Sequence, residues 1–308
     1  WEILIIFDIL PKDRNIVTAH LAEGPGSFVQ GVFIFRDFYH SNVSNTDKYC
    51  AITLVNKDKE SPNLDKKKLE CFTKNNIDRY YQHKTDKNDN GDLTNINIIN
   101  NFSKEIDAQK DKAYLVTADG GFVWKDENNQ EQEMYNLLIG EIITAVKIQK
   151  ENGTFILKIF DLFTNLSLKI LCILQSFYKD VYIFKPFLSR QSNSEKYVIC
   201  KNFKSDESKI NKLENILKEI NNNKDKYIFD ISTEFKIPIE LTNKILEINQ
   251  QLCNKQYISI NKMLSFIESK NYFSEKYHEY KEEQNKATKF WLKNFYIKNL
   301  NNKVLKVD

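Results

Sequence analysis

Residues 16–28 read IVTAHLAEGPGSF, and this stretch decides the fold. Ile16–Leu21 is a short apolar run with β-branched residues, the length of one strand. Ala22–Gly26 is a tight turn, in which two glycines around Pro25 let the backbone approach a ligand closely. A helix-period segment, Ser27–Phe38, follows at once. The start of such a helix presents N–H groups that have no partner within it. Strand, close turn and helix in that order open an α/β unit. The turn is shorter than GxGxxG and no GK[ST] follows, so it is no P-loop; an ordinary strand–helix connection is the competing reading.

Outward from this unit the alternation continues. Short β-branched or aromatic runs occur at Ala51–Val55, Ala113–Ala118, Thr154–Phe160, Val181–Phe184 and Tyr197–Cys200. Helix-period segments lie between them at Glu131–Gln149 and Thr164–Tyr178. Asn152-Gly153 is read as the C-cap signal of the first of these. The alternation predicts a mainly parallel sheet covered on both faces. Asn56–Asn90, charged and Asn-rich, reads as an exposed insertion without a function. No glycine follows Gly153, and beyond residue 204 Pro238 is the one proline. Ile210, Leu213, Ile216, Leu217 and Ile220 repeat there at helical spacing. An α/β domain over 1–204 and an α-helical extension over 205–308 are expected.

The composition narrows the function classes. Of 308 residues, 41% are hydrophobic and 13% aromatic, enough for a sizeable core, which excludes wholesale disorder. The net charge of +3 falls entirely after residue 204, so the chain is no polybasic nucleic-acid coat. Lys, Asn and Ile are in such excess that an A/T-biased genome is implied, and generic Lys runs carry little weight. Arg14, Arg36, Arg79 and Arg190 are the only arginines, and each counts for more. Five widely spaced cysteines without CxxC pairing, and four histidines without HExxH, support neither a disulfide framework nor a zinc site. No apolar stretch reaches the ~18 residues of a membrane span. A reducing, cytoplasmic setting is expected, with neither membrane nor metal. The chain begins at Trp1 rather than Met, as a fragment would.

Three further segments carry chemistry. Residues 117–121, TADGG, put Asp119 at the C-terminal end of a strand, where open α/β sheets bind ligands. The alternative is an Asp that caps the next helix. Residues 155–160, FILKIF, hold Lys158 within an apolar strand. A lysine there is costly unless paired, although it could snorkel to the surface. Residues 185–195, KPFLSRQSNSE, place Arg190 in a polar loop before a strand, a plain hairpin being the alternative.

Taken in order, these four segments resemble the FtsJ-like ribose 2′-O-methyltransferase family: an EGPGSF-type cofactor turn, an ADGG segment, a central-strand lysine and a KPxxSR segment that ends on Glu195. The resemblance covers about residues 1–204. It implies a Rossmann-like methyltransferase sheet, mostly parallel with an antiparallel last strand, and a C-terminal helical extension. It implies S-adenosylmethionine as cofactor and RNA as substrate, foremost the first transcribed nucleotide of capped mRNA. The family's catalytic set is Lys-Asp-Lys-Glu, and its last three members fall on Asp119, Lys158 and Glu195. The implied cofactor residues are Glu23, Gly24, Pro25, Gly26, Ser27, Phe28, Asp92, Leu93 and Asp119. Asp92, in the matching segment GDLT, would receive the adenine amino group. Asn56 stands where many such sites hold the ribose with an acid. The family's first Lys lies upstream of the turn. Residues 1–10 resemble the tail of its helix and hold no Lys, and Lys12 is in the connecting loop, so that Lys either precedes Trp1 or is missing. Residues 205–308 are similar to the extension of methyltransferase-like proteins of large cytoplasmic DNA viruses, the asfarvirus member above all, over Lys209–Leu217 and around Phe290 and Trp291. A viral capping or transcription subunit is then the implied partner, and host cytoplasm or virion the implied location. The rival is an inactive homologue that binds RNA or cofactor, supported by the missing Lys.

The chemistry agrees with the resemblance. Methyl transfer from a sulfonium is an in-line displacement that needs alignment and an activated hydroxyl. Burial can tune a Lys to serve as base, while flanking carboxylates favour its ammonium form. Asp119 and Glu195 are therefore read as orienting Lys158 and the hydroxyl. Arg190 and Lys185 are read as phosphate partners, with Ser189 and Asn193 as hydrogen-bonding groups toward RNA. The basic and aromatic run from Lys286 to Lys298 is read as a terminal amphipathic helix whose aromatics pack on the sheet domain.

Overall fold

The computed structural model describes residues 1–55, 63–65, 67, 69–73, 78–121, 126, 129–223, 226–228, 230–231, 235–270 and 273–297. Its first half runs α1 (Glu2–Ile6), β1 (Val17–Leu21), α2 (Ser27–Tyr39), α3 (Ser41–Ser44), β2 (Lys48–Ile52), α4 (Glu70–Thr73), β3 (Tyr80–Gln82), α5 (Ile96–Asp107) and β4 (Ala113–Ala118). It continues with α6 (Gln130–Ile148), β5 (Gln149–Ile159), α7 (Asn165–Phe177), β6 (Tyr178–Phe184), β7 (Lys196–Phe203), α8 (Glu207–Asn222), α9 (Ile239–Ser269) and α10 (Glu275–Phe295).

The seven strands form one sheet in the order β3-β2-β1-β4-β5-β7-β6. β3, β2, β1, β4 and β5 pair in parallel, and β7 runs antiparallel to both β5 and β6. From β1 the chain moves outward to β2 and β3, then returns to β4 on the other side. That reversal opens a crevice at the strands' C-terminal ends, where open α/β sheets take ligands. Helices cover both faces, so the central strands are buried on both sides, as β1 is along its whole length. Leu21, Ile139, Ile143, Phe155 and Leu217 belong to one core, under α5 to α8. Ile5, Val29, Phe35, Ile156 and Ile199 belong to the other, under α1 and α2. The loop before β1 is fixed by a buried ion pair, with Arg36 Nε 2.7 Å from Asp47 Oδ2 and Arg36 also donating to the carbonyls of Pro11 and Arg14.

Three expectations change. The second strand is Lys48–Ile52 rather than Ala51–Val55: Lys48 enters the sheet because its Nζ reaches the Asp78 carbonyl and the Tyr81 hydroxyl, and Thr53 has already left it. Asn152-Gly153 caps no helix. α6 ends at Ile148, and the pair forms an irregularity within β5, where Asn152 has φ +61° and the register jumps from Ala113–Gln149 to Leu115–Thr154. The segment 56–90 is not a purely exposed insertion. Leu69 and Phe72 are buried, Phe72 stacks on Tyr80 at 4.8 Å, and β3 extends the sheet.

In the C-terminal third, α8 presses Ile210, Leu213, Ile216, Leu217 and Ile220 into the first core. α9 reaches the C-terminal edge of the parallel strands, where Asn249 donates to the Leu162 carbonyl and Gln256 to the Ser192 carbonyl. In α10, Phe295 is buried, Phe290 packs on Phe187 at 5.2 Å, and Trp291 donates to Glu2. Of the aromatics of the terminal run, Phe295 thus packs inward as read, while Phe290 and Tyr296 stay about half exposed, with Phe290 against Phe187 and Tyr296 against Trp1 and Phe38. No helix among the described residues is long and apolar enough to cross a membrane.

Candidate active site

The turn after β1 is built by its own acid. Glu23 is buried, and its Oε1 accepts the backbone N–H groups of Phe28 and Val29 at 2.8 and 2.9 Å, capping α2. Its carboxylate is therefore spent, at least in part, on the helix end. The Gly24 N–H donates to Thr53 Oγ1 at 3.2 Å, which ties the turn to the end of β2. Gly26 precedes α2 with φ +104°, a conformation that favours glycine, and a Cβ there would meet Leu69 and Leu64. Ser27 begins α2, and Phe28 packs its ring 6.0 Å from that of Tyr197. Beneath the turn, buried His20 bridges Thr18 and Thr117 across β1 and β4, and burial lowers its pKa to about 3, so it is a neutral strut.

Beside this turn lies Gly91–Thr94. Gly91 has φ +78° and lies so near the Thr53 carbonyl that a Cβ would come within 2.2 Å of it. Asp92 Oδ1 accepts the N–H and hydroxyl of Thr94, which leaves Oδ2 to accept from a ligand. Leu93 is a core residue, so its side chain anchors the segment from below. The acids behind it are clamped by His83, which bridges Asp89 and Glu105 at 2.9 Å each. Asn56 lies outside the described residues.

Asp119 and Lys158 come together at the ends of β4 and β5. Lys158 Nζ lies 3.0 Å from Asp119 Oδ1 and donates to the Asp119 carbonyl at 3.0 Å. Lys158 therefore does not snorkel. It is 9% exposed, and its charge is met by the neighbouring strand end. An ammonium has three donors, so one direction on Nζ remains for a substrate. Burial raises the Asp119 pKa, Lys158 opposes that rise, and the negative charge of Glu195 adds to it.

Glu195 is near this pair without joining it. Among the described residues it has no ion pair with Lys158 within 4 Å; its Oε1 instead accepts the Tyr197 hydroxyl at 3.2 Å. Of the two acids read as orienting Lys158, Asp119 thus makes the ion pair and Glu195 is held alongside. The antiparallel register explains the placing: Tyr197 sits opposite Lys158, so Glu195 and Tyr197 stand on the lysine's face of the sheet.

The loop 185–195 is staked from within. Lys185 Nζ donates to Asn193 O at 3.0 Å, Asn193 Oδ1 at 3.2 Å, Ser189 Oγ at 3.3 Å and Glu195 O at 2.8 Å. Burial lowers its pKa. Lys185, Ser189 and Asn193, read as one RNA-facing set, are occupied by one another, because a lysine placed among four oxygens of its own loop is a better neighbour for them than solvent. Glu2 completes the stake by accepting the N–H groups of Phe187 and Leu188. Arg190 is exposed and has no carboxylate partner among the described residues.

Sequence reading missed Tyr197, Glu2, His20 and a buried acid on α6, Glu141. Tyr197 was legible from the two-residue period of β7, which aligns it with Glu195. The other three have no motif and become visible only through burial and contact. Lys12, excluded above as the family's first Lys, pairs with Asp8 before β1, at the opposite end of that strand from the crevice. No group of three or more metal-ligating side chains occurs among the described residues.

The profile of the FtsJ-like methyltransferases matches residues 2–203. The chain is 27% identical over 287 residues to a Caenorhabditis briggsae protein named cap-specific mRNA (nucleoside-2′-O-)-methyltransferase 1A, covering 89% of this chain and 30% of that one. It is 30% identical over 279 residues to human cap-specific mRNA (nucleoside-2′-O-)-methyltransferase 1, covering 84% of this chain and 31% of the human protein. A C. briggsae protein named as the inactive 1B form is 26% identical over 287 residues, covering 89% and 32%. The chain thus spans about a third of the length of the curated relatives it matches. Human methyltransferase-like protein 13, solved in complex with SAH, superposes with a TM-score of 0.37 at 14% identity, covering 75% of this chain and 89% of that one.

Proposed function

Because this chain belongs to the FtsJ-like methyltransferase family, we propose that it methylates ribose 2′-hydroxyls of RNA at the Asp119–Lys158 pair, with S-adenosylmethionine as methyl donor and the cap-proximal nucleotide of mRNA as target. The crevice fits this cofactor. A turn with two glycines under a helix N-terminus, a free carboxylate oxygen on Asp92 and an acid at the end of β4 converge on the switch point between β1 and β4. Gly24, Gly26, Ser27 and Phe28 would hold it on one side, and Asp92 and Asp119 on the other. When bound, it supplies a methyl group on a positively charged sulfur, ready for in-line displacement.

The chain's own residues do the rest. Lys158 offers its one unengaged direction to the ribose hydroxyl and, once it has lost a proton, takes the hydroxyl proton as general base. Asp119 holds Nζ in place by two contacts, and Glu195 adds negative potential without fixing the ammonium. Tyr197 joins the two halves of the site, contacting Phe28 of the cofactor turn and Glu195. Arg190 faces solvent at the rim and serves RNA phosphate.

The observation that carries this reading is the 3.0 Å contact of Lys158 with Asp119 in a crevice with a glycine turn for its other wall. It also weighs against the inactive reading, to which the relative named as the inactive 1B form points. The organisation into a methyltransferase unit over 1–204 and a helical extension over 205–308, the likeness of that extension to viral proteins, a capping or transcription partner and a cytoplasmic site belong to the same proposal. Transfer of labelled methyl to capped and uncapped RNA, by wild type and by Lys158→Ala, tests it. Wild type should label capped RNA, and the variant should label neither while binding the cofactor within about threefold of wild type. Equal labelling by both proteins would remove Lys158 from the chemistry.

A further inference from the structure

The turn Asp119-Gly120-Gly121 has Lys158 on one side and a second acid on the other. Glu141, on α6, is fully buried, and neither of its carboxyl oxygens makes a hydrogen bond of normal geometry. Its neighbours show where it points. A Cβ at Gly120 would lie 2.4 Å from Glu141 Oε1, and one at Gly121 would lie 3.4 Å from Lys158 Nζ. The two glycines therefore pass between a carboxyl and an ammonium, with the Gly120 N–H acting on the carboxyl. One residue earlier, Gly140 lets the Leu93 carbonyl approach to where a Cβ would be only 2.0 Å away. Gly140 and Glu141 thus touch both the segment of Asp92 and the turn of Asp119.

The helix itself gives no reason for an acid here. Ile139, Ile142 and Ile143 around it are fully buried core residues, and an apolar side chain would avoid the desolvation that Glu141 bears. A buried carboxyl whose contact with the Gly120 N–H falls short of a normal hydrogen bond calls for a reason outside packing.

We propose that Glu141 is a positioning residue of the methyl-transfer site, one whose carboxyl fixes the Asp119-Gly120-Gly121 turn against α6 and so keeps Asp119 in register with Lys158. The inference rests on the reading of that pair given above. Burial pushes the Glu141 pKa up to about 8, with Lys158 acting to lower it and Asp119 to raise it. The charged groups facing it are thus Asp119 from the turn and Lys158 from β5, with Glu195 acting through Asp119. Near neutral pH it is an uncharged hydrogen-bonding group and adds no further anion beside the ammonium. Above its pKa it becomes one and opposes loss of the Lys158 proton.

The test compares wild type, Glu141→Leu, Glu141→Gln and Lys158→Ala in kcat, KM for RNA, calorimetric cofactor affinity and melting, over about pH 6 to 9. Glu141→Leu should fold, bind cofactor within about threefold and lose about ten- to a hundredfold in kcat with little change in KM, because a misplaced turn acts on alignment. Glu141→Gln keeps an acceptor at the same point and should recover most of that loss. Its kcat should rise at a lower pH than in wild type, since no second acid ionises beside Lys158. Wild-type kcat in Glu141→Leu, together with a Gln profile that superimposes on wild type, would overturn the proposal and leave Glu141 a core residue. Should the Leu variant fail to fold, the Gln profile decides alone: a shift supports the proposal and superposition overturns it. Methyl transfer undiminished by Lys158→Ala would instead overturn the reading of the pair, and this inference with it.

Discussion

Lys158 and Lys185 both stand at the C-terminal edge of the sheet, away from bulk water, yet they are held in opposite ways. Lys158 faces a carboxylate delivered by the adjoining strand end, at 3.0 Å. Lys185 faces side-chain and backbone oxygens of its own loop, and the loop offers it no ion pair. A strand-end pair is set by sheet register, which is stiff, and it leaves one direction of the ammonium open. A loop lysine wrapped in neutral oxygens has its donors consumed, and its burial lowers its pKa. The first arrangement suits a group that reacts. The second suits a group that gives a loop its shape, and under the proposed function it leaves the meeting of RNA to Arg190.

The sharpest way to break that contrast is at Asp119. Asp119→Ala leaves the Lys158 ammonium without its counter-charge and unaligned, and kcat should fall by about a thousandfold. Steady-state methyl transfer to RNA measures it, and a loss below about tenfold would mean that Lys158 is positioned by something else. Next in size is Lys185→Met. It should raise KM for RNA about tenfold, leave kcat within about threefold and leave the salt dependence of RNA binding unchanged, while amide exchange quickens over 186–195. A reduced salt slope would show instead that Lys185 contacts phosphate directly. Arg190→Ala should do the reverse: weaken RNA binding by about three- to tenfold and reduce the salt slope by about one, with cofactor affinity unaltered. An unchanged slope with a lower melting temperature would make Arg190 structural.

The smallest effect concerns stability on the strand-end side. Glu141 holds its proton to about pH 8 when folded, against 4.5 as its ordinary value. Between those values the unfolded chain binds fewer protons than the folded one, so this group's contribution to stability declines as pH rises through the window and levels off above it. Glu141→Gln removes that decline. Relative to wild type its melting temperature should gain about 2–4 °C or more between pH 5 and pH 8, in melts at the two pH values. Parallel wild-type and variant curves would show that Glu141 is ionised in the folded chain.

The strand-end side was the more legible of the two in the sequence. The turn at 22–28 and the acid at 119 each follow an apolar strand directly, so period and position identify them. Lys158 stands out because a charge inside FILKIF needs a partner. The pairing of Lys158 with Asp119 alone, rather than with both acids, depends on the antiparallel register of β7, which no local pattern encodes. The loop residues were legible as a polar cluster, but not as donors and acceptors to one another, since that depends on the path of the loop. β3 and α4 were hidden because charge and Asn density masked Leu69 and Phe72, which are buried through long-range packing, and Tyr80, which is partly buried against them. Glu141 was invisible for the same reason: in sequence it is one acid on a helix, and only its burial against Gly120 marks it.

The most direct measurement locates the transferred methyl group. Capped RNA incubated with S-adenosylmethionine and the protein is digested to nucleosides and read by mass spectrometry, with Lys158→Ala in parallel. The account predicts 2′-O-methylribose on the first transcribed nucleotide with wild type and none with the variant. A methyl group on a base, or 2′-O-methylation that persists in Lys158→Ala, would contradict it.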